Sequence, residues 1–175
     1  RAFRPVADLD RLADGLATTA ERHDVYVGCC PLSHRPSKGR GRAGDVAALP
    51  ARWADPDRAG PGHSPPADGH PLPPTSAAAL DAVAALPSPS VVVDSGGGLQ
   101  AWWILDEPLL IDDDNRAEVA ELGAGWGRAL VAAGAAKGWH VDNVADLARV
   151  LRPPGTVNRK PSRAPAPVAI MRGEG

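Results

Sequence analysis

Apolar residues along this chain switch between helical and extended spacing. In residues 6–22 they recur at helical intervals, which predicts an amphipathic helix. Residues 24–30 form a short apolar run that predicts a buried strand. Residues 45–54 fit either a helix or a strand by pattern, and Pro50 favours the extended alternative because a helix interior needs the N–H that proline lacks.

The middle of the chain has the pattern of a β-hairpin. The β-branched run Val91–Val93 is followed by the glycine-rich turn Ser95–Gly98 and by a second strand, Leu99–Leu105. Before this hairpin, residues 75–86 are predicted to form a helix, and one of the two hydroxyl residues at its start is expected to cap it.

Two further helices and a last strand complete the predicted elements. Residues 113–136 have one apolar face and predict a long helix, and residues 143–151 predict a short helix that a following proline ends. Residues 166–171 predict a final strand, while the proline- and glycine-rich residues 31–43 and 56–74 predict long loops. This mixed order predicts an α+β fold with an antiparallel sheet.

The composition is that of one globular domain over residues 1–175, with an apolar share of 43%. No apolar run reaches membrane-span length, so no membrane partner is expected. The net charge of −2 excludes a polycation, and binding to nucleic acid would depend on local basic clusters at residues 38–42 and 149–163. The chain begins without methionine, and we expect it to be a fragment of a longer protein.

The two cysteines are adjacent, at Cys29 and Cys30, and the chain has no others. A disulfide framework is therefore excluded, and we expect a reducing, cytoplasmic location. His34 lies nearby in sequence, but two cysteines and one histidine make an incomplete zinc site. We expect both thiols to be buried as small apolar side chains.

The first candidate for chemistry is the pair Asp55 and Asp57, separated by Pro56. On an extended chain, side chains two residues apart point to the same face. Two carboxylates held that close raise each other's pKa values unless a cation lies between them, and Mg²⁺ or Mn²⁺ prefers such oxygen ligands. The alternative is a surface turn, because Asp-Pro-Asp is common in loops.

The second candidate is the glycine-rich turn and the strand that follows it. Successive glycines leave backbone N–H groups accessible to phosphate oxygens. Ser95 adds a hydroxyl, Gly97 an unobstructed amide and Gln100 a side-chain amide donor. The alternative is a plain hairpin turn, and no Gly-Lys-Ser or Gly-Lys-Thr follows that would make this a Walker loop.

The third candidate is the segment 142–160, DNVADLARVLRPPGTVNRK. Either Asp142 or Asp146 could complete a site of three carboxylates with Asp55 and Asp57. Asp146 has a simpler alternative as an ion-pair partner of a nearby arginine. The rest of the segment offers groups that bind phosphates or a nucleic-acid backbone, unless they are solvated charges at a helix end. These groups are Arg149, Arg152, Asn158 and Lys160.

Taken in order, these motifs resemble the archaeo-eukaryotic primase superfamily, and most closely the RepB-like and bifunctional primase-polymerase domains of plasmids, phages and mobile elements. Residues 53–57 resemble the first motif, a strand that ends in Asp-x-Asp. Residues 95–103 resemble the second, a glycine hairpin followed by a strand, and residues 142–158 the third. The resemblance runs from Asp24 to Lys160.

The resemblance implies an RRM-like antiparallel sheet with an accompanying α/β lobe and an active site between them. It implies a primase or polymerase of plasmid or phage replication, a two-metal nucleotidyl transferase in which Asp55, Asp57 and Asp142 hold Mg²⁺ or Mn²⁺. The partners would be a single-stranded DNA template, nucleoside triphosphates and a helicase domain or protein. The nucleotide-binding residues would be Ser95, Gly97, Gln100, Arg149, Arg152, Asn158 and Lys160.

Two positions depart from the pattern of this superfamily. Gln100 stands where the second motif usually has histidine, and glutamine never carries a positive charge. Pro56 stands where the first motif usually has an apolar residue. Gln100 supports one alternative, a binding module that kept the fold with weak or no catalysis. A metal-dependent nuclease that uses the same carboxylates is a separate second alternative.

Overall fold

The computed structural model describes residues 2–64 and 66–173 and combines helices with antiparallel strands. Of the predicted loop 56–74, Pro65 lies outside the described residues. The elements follow one another as α1 (Leu9–Ala20), β1 (Val27–Gly28), a 3₁₀ turn (Ala43–Asp45), β2 (Ala48–Ala54), α2 (Ser76–Asp81), β3 (Val91–Asp94), β4 (Leu99–Leu110), α3 (Arg116–Ala136), β5 (Val150–Leu151), β6 (Val157–Asn158), β7 (Ala166–Pro167) and β8 (Ala169–Gly173).

Four strands form the central sheet in the order β2-β4-β3-β8. Trp53 of β2 lies opposite Trp102 of β4, and Val92 of β3 lies opposite Ala101 of β4. Two smaller ladders pair β1 with β5 and β6 with β7. All of these pairings are antiparallel, which confirms the predicted α+β fold with an antiparallel sheet.

Each face of the central sheet packs against its own apolar cluster. Trp53 and Trp102 share one face, with ring centroids 6.0 Å apart, and contact buried side chains that include Val144 and Leu147. On the other face Trp103 meets Trp126 of α3 edge to face at 4.9 Å. The adjacent tryptophans Trp102 and Trp103 therefore anchor opposite faces of the sheet.

Trp53 also connects the sheet to the segment 142–160 by hydrogen bonds. Its indole Nε1 donates to the Val144 carbonyl oxygen at 2.7 Å, and its own carbonyl oxygen accepts from Trp126 Nε1 at 3.0 Å. Trp53 is 2% exposed, so these bonds satisfy polar groups that water does not reach. The strand that precedes the acidic pair is thereby fixed to α3 and to the segment 142–160.

The predicted short helix over residues 143–151 is wrong. The apolar positions Val144, Leu147 and Leu151 are buried as the helical pattern required. Their backbone is irregular up to a turn at residues 147–148 and then extended in β5, which pairs with β1. The reason is that the backbone partners come from outside the segment: Trp53 occupies the Val144 carbonyl oxygen, and the Arg149 carbonyl oxygen accepts from a backbone N–H at 2.9 Å.

The remaining elements match the predictions with changed bounds. The apolar run at residues 24–30 contributes only two strand residues, because β1 has only the short β5 as its partner. Residues 45–54 are extended in β2, as Pro50 favoured. Thr75 caps α2, its side chain accepting from the Ala78 N–H at 3.1 Å. The hairpin strand β4 runs to Leu110, beyond its predicted end.

Both cysteines are free and buried, which confirms their expected role as apolar side chains. Burial is the main cause that raises the pKa of Cys30 to about 12. His34 is engaged elsewhere, with Nδ1 3.0 Å from Ser33 Oγ and Nε2 3.7 Å from Asp45. Within residues 2–64 and 66–173, none of the helices combines the length and apolar character that a membrane crossing requires.

Replacing Trp53 by phenylalanine should lower the free energy of unfolding by about 1–3 kcal/mol, because the buried Val144 carbonyl oxygen loses its donor. Urea unfolding monitored by far-UV circular dichroism measures this change. Trp102→Phe is the matched control, since the half-buried Trp102 indole makes no hydrogen bond to a described residue. Equal losses in both variants would show that the hydrogen bond contributes nothing beyond ring volume.

Candidate functional site

A cavity of about 180 Å³ lies where the end of β2, the glycine turn and the chain around β5 and β6 meet. It is lined almost entirely by polar and charged side chains from parts of the sequence more than 100 residues apart. The lining residues are Tyr26, Asp55, Asp57, His63, Ser95, Gly97, Gln100, Val150, Leu151, Arg152, Asn158, Lys160 and Arg163.

The acidic pair, Asp55 and Asp57, follows the last residue of β2, and both side chains line the cavity. The chain between them is held by a hydrogen bond from Leu99 N–H to the Pro56 carbonyl oxygen at 3.0 Å. Asp57 also forms an isolated antiparallel bridge with Gly98. A Cβ on Gly98 would lie 2.6 Å from the Pro56 carbonyl oxygen, so this close approach requires glycine at that position.

The carboxyls of the acidic pair both have raised pKa values. Burial and then the charge of Asp57 raise the pKa of Asp55 to about 7, against a lowering influence from Arg149. Burial is also the largest cause that raises the pKa of Asp57, and His63 opposes it. Two anionic carboxylates here lose hydration and repel each other. A divalent cation bound between them would offset both the desolvation cost and the repulsion.

The glycine turn, Ser95–Gly98, is braced by the chain around β6. Ser95 Oγ donates to the Gly98 carbonyl oxygen at 3.1 Å. Buried Asn158 donates from Nδ2 to the Ser95 carbonyl oxygen at 2.8 Å and accepts from the Lys160 N–H at 3.1 Å. The polar groups of Ser95 and Asn158 therefore shape the backbone of the cavity wall.

Gln100 is 2% exposed and its side-chain amide is matched to the backbone of Arg152. With the amide oriented to satisfy both groups, its nitrogen donates to the Arg152 carbonyl oxygen at 2.9 Å and its oxygen accepts from the Arg152 N–H at 3.1 Å. Gln100 thus joins β4 to the end of β5, and its amide is engaged within the protein where it borders the cavity.

The two predicted phosphate-binding arginines of the segment 142–160 have different surroundings. Arg152 borders the cavity, with its guanidinium carbon 4.4 Å above the Tyr26 ring and Nη2 3.3 Å from Asp24. Arg149 does not line the cavity and pairs with Asp146 at 2.6 Å. The ion pair that the sequence offered as an alternative for Asp146 is confirmed.

Asp142, the predicted third metal ligand, is exposed and does not line the cavity. His140 bridges it to the long loop, with Nε2 2.8 Å from Asp142 and Nδ1 2.7 Å from Asp68. The Asp142 charge nevertheless contributes to the raised pKa values of Asp55 and Asp57, so it lies within electrostatic reach. Among the residues that the structure describes, no three His, Cys, Asp or Glu side chains are grouped as a metal site.

Five cavity residues were not among the predicted site residues: the apolar Val150 and Leu151, and the polar Tyr26, His63 and Arg163. Arg163 belongs to the basic cluster at residues 149–163, and membership of that cluster could have identified it as a candidate site residue. Tyr26 lies in the apolar run at residues 24–30, and His63 in the proline- and glycine-rich loop. Tyr26 contacts Arg152, from a distant part of the chain. His63 contacts nearby Asp57 at 3.2 Å and distant Arg163 at 3.0 Å, and neither contact follows a recognisable motif spacing.

No protein-family model matches the chain, and no curated protein shows significant similarity to it. Among solved structures, its fold is similar to the AEP domain of the primase-polymerase of cyanophage S-2L. The two share 18% sequence identity with a TM-score of 0.49, and the alignment covers 76% of this chain and 57% of that chain. At this level of similarity, the function is inferred from the residues of the cavity.

The raised pKa of Asp55 makes the stability of the metal-free protein depend on pH. The folded state holds this proton up to a pH of about 7, whereas an unfolded aspartic acid releases it near pH 4. The free energy of unfolding should therefore fall as the pH rises from about 4 to 7. In Asp55→Asn this fall should be shallower, as urea unfolding in EDTA across pH 5–8 would measure.

The control for this pH series is Asp81→Asn, which removes an exposed carboxylate that pairs with Lys137. Its pH profile should run parallel to that of the unsubstituted protein. Superimposable slopes for the Asp55→Asn variant and the unsubstituted protein would show that Asp55 titrates normally, and that the carboxylates of the acidic pair are not constrained by burial.

Replacing Gln100 by leucine should lower the free energy of unfolding by about 2–3 kcal/mol, because the N–H and the carbonyl oxygen of Arg152 both lose their partner in the buried Gln100 amide. Urea unfolding measures this loss. Unchanged stability together with weaker nucleotide binding would instead mean that the Gln100 amide is free to contact a ligand.

Proposed function

We propose that this chain is a metal-dependent nucleotidyl transferase of the archaeo-eukaryotic primase superfamily, acting as a primase-polymerase domain. The observation that supports this proposal is the shared cavity: the acidic pair, the glycine turn and the segment 142–160 all contribute lining residues. These are the three motifs that carry the resemblance, and they are far apart in sequence. A surface turn at residues 55–57 or a plain hairpin at residues 95–98 would not require this convergence.

The residues present fit a divalent cation in part. Asp55 and Asp57 supply oxygen ligands. Their raised pKa values show that two negative charges are disfavoured there, which a bound divalent cation would compensate. Asp142 is the proposed third ligand, and it would have to exchange His140 for the metal. When bound, Mg²⁺ or Mn²⁺ would favour deprotonation of an attacking hydroxyl and neutralise charge on the phosphates.

The protein's own groups would bind and orient the reactants. Lys160 and Arg152 border the cavity and supply positive charge for a triphosphate or for the template backbone. The buried residues Gln100, Ser95 and Asn158 form part of the cavity wall beside these charges. The substrates would be nucleoside triphosphates and a single-stranded DNA template, in plasmid or phage replication and together with a helicase.

One observation favours a second candidate, a binding module of the same fold with little or no catalysis. The buried amide of Gln100 is already matched to the Arg152 backbone, and glutamine offers no charge. Gln100 therefore forms part of the cavity wall and supplies no positive charge for binding phosphate. A nuclease, the third possibility, would use the same carboxylates and would act on the template itself.

Substituting either member of the acidic pair should remove product formation. Asp55→Asn and Asp57→Asn each delete a proposed metal ligand, and the loss of about 3 kcal/mol of transition-state stabilisation corresponds to at least about a 100-fold slower rate. The assay supplies single-stranded template, with and without a primer, ribo- or deoxyribonucleoside triphosphates, and Mg²⁺ or Mn²⁺. Labelled products are then resolved on a gel.

Asp81→Asn, on the exposed end of α2, is the matched control and should retain full activity. Absence of product in every condition, combined with tight binding of the template, would exclude the polymerase and favour the binding module. A shortened template that depends on the acidic pair would identify a nuclease instead.

A further inference from the structure

Arg163 lies against the glycine turn with part of its hydrogen-bonding capacity unused. Its Nη1 donates to the Gly96 carbonyl oxygen at 3.1 Å, and its Nη2 is 3.0 Å from His63 Nε2. Its buried Nε has no hydrogen-bond partner among the described residues. A guanidinium has five N–H donors, so a cavity-lining arginine with two in use can still bind an anion.

The position of Arg163 depends on the absence of a side chain at Gly97. A Cβ at Gly97 would overlap the guanidinium of Arg163. Gly97 is not among the glycines with positive φ, so its backbone conformation would accept alanine. The absence of a side chain at Gly97 therefore leaves the space that the guanidinium occupies beside the glycine turn, and a side chain there would displace it.

His63 fixes the orientation of that cation. Its Nδ1 lies 2.7 Å from the Arg58 carbonyl oxygen, which can only accept, so Nδ1 carries a hydrogen. This hydrogen bond turns Nε2 toward two groups, Arg163 Nη2 at 3.0 Å and Asp57 Oδ1 at 3.2 Å. In the tautomer protonated at Nδ1 alone, Nε2 accepts a hydrogen bond from Arg163. Next to His63, Lys160 Nζ donates to the Gly62 carbonyl oxygen at 2.7 Å and anchors the same loop at the cavity.

The size and charge of the cavity limit which ligands Arg163 and Lys160 can bind. A volume of about 180 Å³ is small beside the roughly 300–1,000 Å³ of pockets that enclose a whole organic ligand, so it suits phosphate groups and not a complete nucleotide. Without a cation, the carboxylates of Asp55 and Asp57 would repel phosphates. Arg163 and Lys160 are the groups that can offset this repulsion, and an arginine fork matches phosphate geometry.

We propose that Arg163, seated on Gly97 and oriented by His63, binds the terminal phosphates of a nucleoside triphosphate next to Lys160. Arg163 is a ligand-binding residue in this proposal, and His63 is a positioning residue. The identity of the ligand rests on the proposed function, whereas the anion site itself can be tested without it. The base and sugar would lie outside the cavity.

The test measures binding of inorganic tripolyphosphate by isothermal titration calorimetry in Mg²⁺ buffer. Arg163→Gln should weaken binding about tenfold or more, since a charged hydrogen bond is lost. Gly97→Ala should weaken it similarly although every charge is retained, because the new methyl group displaces the guanidinium. Arg128→Gln, at an exposed arginine paired with Glu121, controls for net charge and should bind normally.

The positioning role of His63 is tested by two substitutions. His63→Ala removes the acceptor for Arg163 Nη2 and should weaken tripolyphosphate binding. His63→Gln offers a side-chain oxygen near the position of Nε2 and should restore part of the affinity. Equal losses in both variants would overturn the positioning role. Far-UV circular dichroism of each variant separates a displaced side chain from an unfolded protein.

The outcomes separate this inference from the proposed function. Tripolyphosphate binding that is unchanged in folded Arg163→Gln and Gly97→Ala variants would overturn the inference and leave the polymerase proposal standing. Absence of tripolyphosphate binding by the unsubstituted protein would also overturn it. Binding that depends on Arg163 and Gly97, without any primer extension, would support the anion site and count against the polymerase.

Discussion

The close contact between the chain at Pro56 and the turn at Gly98 is the constraint on which the rest of the site depends. The Leu99 N–H reaches the Pro56 carbonyl oxygen at 3.0 Å, and no side chain fits at Gly98. This contact carries the antiparallel pairing of β2 and β4 past the last residue of β2. It therefore sets where both carboxylates of the acidic pair lie relative to the glycine turn.

The third wall of the cavity is attached to the first two by buried polar side chains. Gln100 forms hydrogen bonds with both backbone groups of Arg152, and Asn158 donates to the carbonyl oxygen of Ser95. An unpaired buried amide is costly, so each of these contacts disfavours any other register between the segment 142–160 and the hairpin. Residues that the sequence presents as ligand-binding groups thus also build the rigid frame in which Lys160 and Arg163 lie.

The sequence predicted the hairpin, the long helix α3 and the antiparallel class because apolar periodicity and turn residues are local signals. It also predicted that the pair Asp55 and Asp57 share a side, since alternation along an extended chain is local geometry. It failed at residues 143–151, where apolar spacing was helical and the deciding hydrogen bonds came from Trp53 and β1. His63 was not predicted, because neither its contact with nearby Asp57 nor its contact with Arg163, 100 residues away, follows a recognisable motif spacing.

The single tyrosine of the chain, Tyr26, lies at this cavity, whereas none of the five tryptophans lines it. Its ring lies under the Arg152 guanidinium, and the residue is 48% exposed. The side chain of Tyr26 is thus a natural spectroscopic probe of the cavity. Aromatic proton resonances of one residue type report on the occupancy of the cavity, while indole resonances report on the two cores of the sheet, without any engineered probe.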